Sequence, residues 1–521
     1  MVSFTPSRRL DILNGMAMTD SKLPRGNCLL LAAIALLGAT PAAAQTCEAM
    51  AKLTLPHATI TLAESVSAAA WPAAVTGRAE SSHPPFCRVA ATLKPSSDSD
   101  IKVEVWMPAA DWNGDFQAVG NGGWSGAINY NAMASALLKG YATSSTDTGH
   151  TGSSASFALE HPEKLIDFAY RSEHEMTTLA KAVIGAFYGD APRFSYWNGC
   201  SAGGKQALKE AQRYPGDFDG IVAGSPAGNW TGRAAQAIWV AQAVHKDEAS
   251  YIPPEKYPAI HRAVLKACDR LDGVEDGVLE NPSRCSFDPV VLECKGADGP
   301  ECLTHPQAEA ARKIYAWSTN PRTKQKLYPG LAPGSELGWG TWGGAKPLSI
   351  ALDYFRYVVF ANPNWDFHTL NFDQDMETIE KLDRDRLNAT DPNLKPFFVR
   401  GGKLIQYHGW SDPQISPGNS VEYYTSVVKE MGGAAKVEDS YRLFMVPGMA
   451  HCGGGDGTST FDMMAAMQHW VEDKHPPDHI DASRVRDGKV DRTRPLCPYP
   501  QTAVYKGKGS TDDAANFACR P

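Results

Sequence analysis

Apolar positions in this chain gather into short runs that end in glycine-rich turns. Residues 101–108, IKVEVWMP, alternate apolar and polar side chains in the two-residue rhythm of a strand. Residues 115–126, DFQAVGNGGWSG, carry a short apolar run into a glycine loop. FSYWNG leads into CSAGG, and the following KQALKEAQRYP places Ala207, Leu208 and Ala211 at helical spacing. DGIVAGSP, residues 219–226, is another strand that ends in a turn. From about 229 to 395 the texture becomes rich in Trp, Pro and Cys, with few strand patterns. Strand rhythm returns in GKLIQYHGWSDP (402–413) and YRLFMVPGMAHC (441–452). Strands alternating with helices predict an α/β fold around a mostly parallel sheet, with a large insertion near its middle.

The amino end follows a different rule. Lys22 and Arg25 precede LLLAAIALLGA at 29–39, and PAAAQ follows. Charged, apolar and small-residue regions in that order predict an export signal over 1–44, cleaved after Ala44. Met16 and Met18 are alternative starts to this long leader. The apolar run is too short to span a bilayer, and no later run of about 18 apolar residues follows. A soluble mature protein, secreted or periplasmic, is therefore expected.

Net charge and cysteine content narrow the partners. The chain of 521 residues carries a net charge of −8 and has no Lys/Arg run, so it offers no track for nucleic acid. A small organic or polymer-derived substrate is the expected partner, and the sequence leaves the oligomeric state open. Of the 11 cysteines, Cys28 leaves with the leader. The even remainder in an exported chain predicts disulfides, and the absence of any C-x-x-C pair speaks against zinc. Sequence does not fix the connectivity. Close neighbours suggest Cys268 with Cys285, Cys294 with Cys302, and Cys497 with Cys519, with Cys47 and Cys87 clipping the amino end. That leaves Cys200 and Cys452.

The turn Gly199-Cys200-Ser201-Ala202-Gly203 is a G-x-S-x-G motif between a predicted strand and a predicted helix. That context distinguishes a nucleophile elbow from an ordinary glycine turn. Small flanking residues permit the sharp bend, and the helix start aims N–H groups at developing negative charge. A serine hydroxyl needs a base, and the base an orienting carboxylate, in the chain order Ser, Asp/Glu, His for this turn class. Strand-then-turn segments supply Asp412 and His451. His408 precedes Asp412 and reads as a structural histidine, and His469 as a surface or packing residue of a helix. His150, in STDTGH, reads as either a neighbour of the site or a loop residue. The N–H groups of Ala202 and of Gly123, in GNGGWSG, are the expected oxyanion donors.

A second signal lies in the insertion, at CDRLDGVEDGVLENPSRC. Asp269, Asp272 and Asp276 crowd three carboxylates together, with Gly273 and Gly277 for tight turns. Such a loop can wrap a hard cation such as calcium or stand solvated, and it lacks the EF-hand spacing. Like charges this close call for a counter-ion.

Taken together, VGNGGWSG, STDTGH, YWNGCSAGGKQA, DGIVAGSPA, CDRLDGVEDGV, YVVFANPNWDF, HGWSDPQISP and GMAHCGGG resemble the tannase and feruloyl esterase family of α/β hydrolases. The resemblance covers nearly all of the mature chain. It implies an α/β-hydrolase catalytic domain from 45–228 and 396–521, with a lid domain at 229–395. It implies Ser201, Asp412 and His451 as a catalytic triad and a Cys200–Cys452 bridge. It also implies a structural Ca2+ in the lid, on the side chains of Asp269, Asp272 and Asp276 and the carbonyls of Val274 and Val278. The implied activity is hydrolysis of phenolic esters of feruloyl or galloyl type, or of terephthalate-type aromatic mono-esters. A serine peptidase and a non-catalytic binding protein are the other classes. Arg356, in DYFRYVVF, reads as a partner for a substrate carboxylate or as half of a structural ion pair.

Overall fold

Five of the apolar runs become parallel strands whose residues are almost all buried. The computed structural model describes residues 45–71, 75, 82–383 and 386–521, and the predicted leader lies outside them. Nine strands form the main sheet: β1 (Ala58–Val66), β2 (Phe86–Leu93), β3 (Ile101–Pro108), β4 (Phe116–Val119), β5 (Ala142–Thr146), β6 (Ser195–Cys200), β7 (Gly220–Gly224), β8 (Lys403–Gly409) and β9 (Tyr441–Val446). Their spatial order is β1-β2-β3-β5-β4-β6-β7-β8-β9. Pairing is antiparallel from β1 as far as the β3–β5 pair, and parallel from β5 to β9.

This order places a topological switch at β4. The chain leaves β4 for β5 on one side and returns to β6 on the other. In parallel sheets a ligand crevice opens beyond the carboxyl ends of the strands at such a point. The loop after β4 is GNGGWSG, and the turn after β6 is CSAGG. Asp412 follows β8 and His451 follows β9, at the same edge.

Helices α1 (Tyr130–Leu138), α2 (Ser172–Tyr188) and α3 (Ala202–Arg213) flank the sheet. Val103, Val105, Phe116, Trp197, Ile221, Leu404 and Leu443 lie in its core. The insertion opens with α4 (Trp230–Val244) and holds a small apolar cluster of its own around Val264, Cys268 and Leu279. Its Trp339, Trp342, Tyr354 and Phe355 share one apolar cluster with Trp124, Phe168 and Ala202 from the loops at the carboxyl edge of the sheet. After β9 and α5 (Met463–Glu472), two antiparallel ribbons close the chain: β10 (Ile480–Arg486) with β11 (Lys489–Leu496), and β12 (Thr502–Tyr505) with β13 (Phe517–Arg520).

Disulfides join Cys47–Cys87, Cys200–Cys452, Cys268–Cys285, Cys294–Cys302 and Cys497–Cys519. Among the described residues no helix is long and apolar enough to cross a membrane.

Candidate active site

Ser201 sits at the apex of the turn between β6 and α3, with φ 65° and ψ −118°. A positive φ is costly for a residue with a Cβ, about 1–3 kcal/mol, and persists only where the surroundings dictate it. Here they do. Ser201 N–H donates to the Gly224 carbonyl at 3.0 Å, and its own carbonyl accepts from Lys205 N–H and Ala227 N–H at 3.0 and 3.1 Å. The flanking glycines are needed for space. A Cβ on Gly199 would lie 2.5 Å from the Gly203 carbonyl oxygen, and one on Gly204 would run into the Gly224 carbonyl.

Asp412 is wholly buried and holds three elements together. Its Oδ1 accepts N–H groups of Gln414 (2.8 Å) and Ile415 (3.0 Å), fixing the turn after β8. Its Oδ2 lies 2.7 Å from His451 Nδ1 and 3.2 Å from His408 Nε2. Burial favours the neutral acid, but hydrogen bonds and charge from His408 and His451 outweigh it and hold the carboxyl below the ordinary range. His408 is also buried, with Nδ1 2.7 Å from Ser420 Oγ and Nε2 3.0 Å from the Ile415 carbonyl. His408 and His451 thus meet the same carboxylate oxygen of Asp412.

The Cys200–Cys452 bridge joins the residue before Ser201 to the residue after His451, with Cα atoms 6.0 Å apart. Cys452 also has a positive φ of 62°. The structure contains no hydrogen bond between the Ser201 hydroxyl and His451. In free enzymes such contacts often tighten only when substrate binds.

The N–H of Ala202, at the start of α3, has no backbone acceptor among the described residues, as the first turn of a helix dictates. In the facing loop, Gly120 N–H donates to Asn198 O and Asn121 N–H to Gln206 Oε1. The N–H groups of Gly122 and Gly123 make no hydrogen bond among the described residues, so Gly122 joins Gly123 as a candidate donor. His150 supports this loop: its Nε2 lies 2.9 Å from the Trp124 carbonyl and its ring stacks on Phe157. His469 is exposed beside Asp473. Arg356 forms no ion pair among the described residues. Its Nε donates to the Trp365 carbonyl at 3.4 Å, and its charge helps to lower the pKa of Asp366.

The acidic loop is closed by Cys268–Cys285. Asp269 accepts N–H groups of Asp276 and Gly277, Asp272 those of Val274 and Glu280, and Asp276 Oδ1 that of Val278. Burial, reinforced by the neighbouring carboxylates, pushes Asp269 and Asp272 up. Counter-charge comes from strand β11: Arg494 and Arg492 both meet Asp276 Oδ2. A cavity of about 20 Å³, room for one water-sized occupant, is lined by Asp272, Val274, Asp276, Val278 and Glu280 and also by the cationic Arg492 and Arg494. The carbonyls of Val274 and Val278 accept no hydrogen bond among the described residues. These hard oxygen donors suit calcium. The three aspartate carboxylates do not, however, all come within 4.8 Å of one another. The group that does, Cys294, Asp298 and Cys302, includes two cysteines already joined in a disulfide.

A switch-point sheet with a serine on a strained strand-to-helix turn defines an α/β hydrolase. The family model "Tannase and feruloyl esterase" matches residues 87–520, and the chain belongs to that family. It is 38% identical to an uncharacterized esterase of Xanthomonas campestris pv. campestris, over 94% of this chain and 93% of the relative. It is 36% identical to a probable feruloyl esterase B-1 of Aspergillus flavus, over 83% and 86% of the two chains. The crystal structure of feruloyl esterase B from Aspergillus oryzae superposes with a TM-score of 0.85 at 32% identity, covering 91% of this chain and 99% of that one. The protein is a carboxylic ester hydrolase.

Proposed function

We propose that this chain is an exported serine esterase that cleaves phenolic esters of feruloyl or galloyl type. Ser201 attacks the ester carbonyl while His451 takes its proton, and Asp412 holds the imidazole in the tautomer that can accept it. The oxyanion rests on the N–H of Ala202 and on that of Gly123, with Gly122 as the alternative. His451 then protonates the leaving alcohol, and water releases the acid. The observation that carries this reading is the buried Asp412–His451 contact at 2.7 Å, on a loop bridged by Cys452 to the residue before Ser201. Five disulfides favour an oxidising compartment. The relatives named feruloyl esterase favour a hydroxycinnamate acyl group.

Calcium in the insertion belongs to the same proposal, held by Asp269, Asp272 and Asp276 with the carbonyls of Val274 and Val278. When bound it would neutralise the acidic loop and leave the reacting atoms to the residues above.

A second reading, hydrolysis of an aromatic mono-ester bearing a free carboxylate, is favoured by Arg356. Its guanidinium forms no ion pair among the described residues, and it follows the helix whose Ile350 side chain approaches Gly123. Comparing kcat/KM for methyl ferulate, methyl gallate, chlorogenate and a terephthalate mono-ester tests both. The first reading expects a phenolic ester to lead by more than tenfold. A lead for the terephthalate mono-ester overturns it in favour of the second.

A further inference from the structure

Helix α3 does not sort its residues into a wet and a dry face. Lys205, Gln206 and Glu210 are as deeply buried as Ala207 and Leu208. Buried polar groups carry a free-energy cost unless they are paired. Two of these three are paired, and the pairing leads to the glycine loop.

Asn121, the second residue of GNGGWSG, is buried and engages all of its polar groups. Its side-chain Nδ2 donates to the carbonyls of Ala127 (2.9 Å) and Thr146 (2.8 Å). Its backbone carbonyl accepts from Gly203 N–H at 2.8 Å. Its backbone N–H donates to Gln206 Oε1 at 3.0 Å, and its Oδ1 accepts from Gln206 Nε2 at 3.2 Å. An N–H can only donate, so Oε1 of Gln206 must face Asn121 N–H, which leaves Nε2 to donate to Asn121 Oδ1. Nε2 also donates to the buried Glu173, which in turn accepts from Ser172 Oγ at 3.1 Å. Glu173 therefore fixes which way the Gln206 amide is turned.

The far end of the loop is held separately. Lys205 Nζ donates to the Ala169 carbonyl at 2.6 Å, within the π-helical turn Asp167–Arg171. Phe168 of that turn packs its ring 4.7 Å from the Trp124 ring. Burial pushes Glu173 up and Lys205 down, and the opposite charge of each counteracts the shift in the other. Gly122 and Gly123 lie between the two clamped residues, Asn121 and Trp124.

We infer that Asn121 and Gln206 are positioning residues of the ester hydrolysis. Their reciprocal amide pair, oriented by Glu173, locks the glycine loop to the first turn of α3. The N–H of Ala202 and the N–H groups of the loop are thereby held at a fixed separation before substrate arrives. This rests on Ser201 being the nucleophile.

The test compares the wild type with Gln206→Leu and Gln206→Glu. Each is assayed for hydrolysis of an aryl ester and for inhibition by phenylboronic acid, whose tetrahedral serine adduct needs the oxyanion donors. Gln206→Leu lowers kcat by about 10- to 100-fold, with KM within about threefold, because oxyanion donors act mainly in the transition state. Boronate affinity falls in parallel. Gln206→Glu sets two carboxylates face to face and loses at least as much. It also places an acceptor oxygen against Asn121 Oδ1, which receives its hydrogen bond from Gln206 Nε2 in the wild type. Folded Gln206→Leu with kcat and boronate affinity within twofold of the wild type overturns the inference. So does a folded Gln206→Glu whose kcat and boronate affinity stay within twofold of the wild type. Fluorophosphonate labelling of wild-type Ser201 separates the two claims: absence of label removes the nucleophile reading, whereas label with normal Gln206→Leu kinetics removes only this one.

Discussion

Replacing Cys200 and Cys452 together by alanine removes a bridge that spans 252 residues of sequence. In the loop-entropy account, a closure of that length stabilises the folded state by about 5 kcal/mol, an upper figure from which native strain subtracts. The strain is visible here, since Ser201 and Cys452 both have left-handed backbones. Conformations of this kind cost about 1–3 kcal/mol each, about 2–6 kcal/mol for the two, so about 3 kcal/mol is the largest net loss expected. The bridge also fixes the nucleophile turn against the loop of His451, and small displacements between reacting groups cost heavily in rate. Guanidinium unfolding under non-reducing conditions, with the other four disulfides intact, measures the first effect. Aryl-ester turnover well below the unfolding midpoint measures the second, and a loss of at least about tenfold with far-UV dichroism unchanged is expected. A folded double variant with the wild-type midpoint and turnover within twofold refutes the reasoning.

Asp412→Asn should leave the chain folded near neutrality but lower kcat by roughly 10⁴, as in other triads where the orienting carboxylate is made neutral. The same group sets a pH limit. Its folded pKa is depressed, so its stabilisation is fully present above the ordinary carboxylate value of about 4 and is lost as pH falls below that. Asp412→Asn should flatten this acid limb in thermal scans from pH 3 to 7, and an unchanged limb contradicts the assignment. His408→Ala leaves Asp412 and Ser420 short of a buried partner and should destabilise by about 1–3 kcal/mol in chemical denaturation. Chelation of the purified protein should lower its melting temperature, with calcium restoring it and Asp272→Ala abolishing the response. Elemental analysis showing no calcium, together with no shift on chelation, removes the ion from the proposal.

The sheet was legible where strands are buried on both faces and the runs are continuously apolar, as in Leu404, Ile405, Tyr407 of β8 and Leu443, Phe444, Met445 of β9. Strand β5 was not, because its interior is Thr143, Ser144 and Ser145, which periodicity assigns to solvent. The edge strand β1, its neighbour β2 and the two terminal ribbons also escaped notice, and in β1 and β10 the partly exposed residues give weaker runs. In α3, the apolar residues Ala207, Leu208 and Ala211 announced the helix but hid the network around Gln206. A lysine, a glutamine and a glutamate on a helix read as its wet face until their partners are seen. Ser201, Asp412 and His451 were legible because each follows a strand at one edge of the sheet. For the acidic loop, the sequence called for a counter-ion but could not show Arg492 and Arg494, which arrive from more than 200 residues away.

The central claim is that Ser201 carries the acyl group. Incubating the full-length protein with a fluorophosphonate and mapping the adduct by peptide mass spectrometry tests it directly, with Ser201→Ala alongside. The account predicts a single adduct, on Ser201, forming in step with loss of esterase activity, and no hydrolysis by Ser201→Ala above background. An adduct at another residue, or turnover retained by Ser201→Ala, contradicts it.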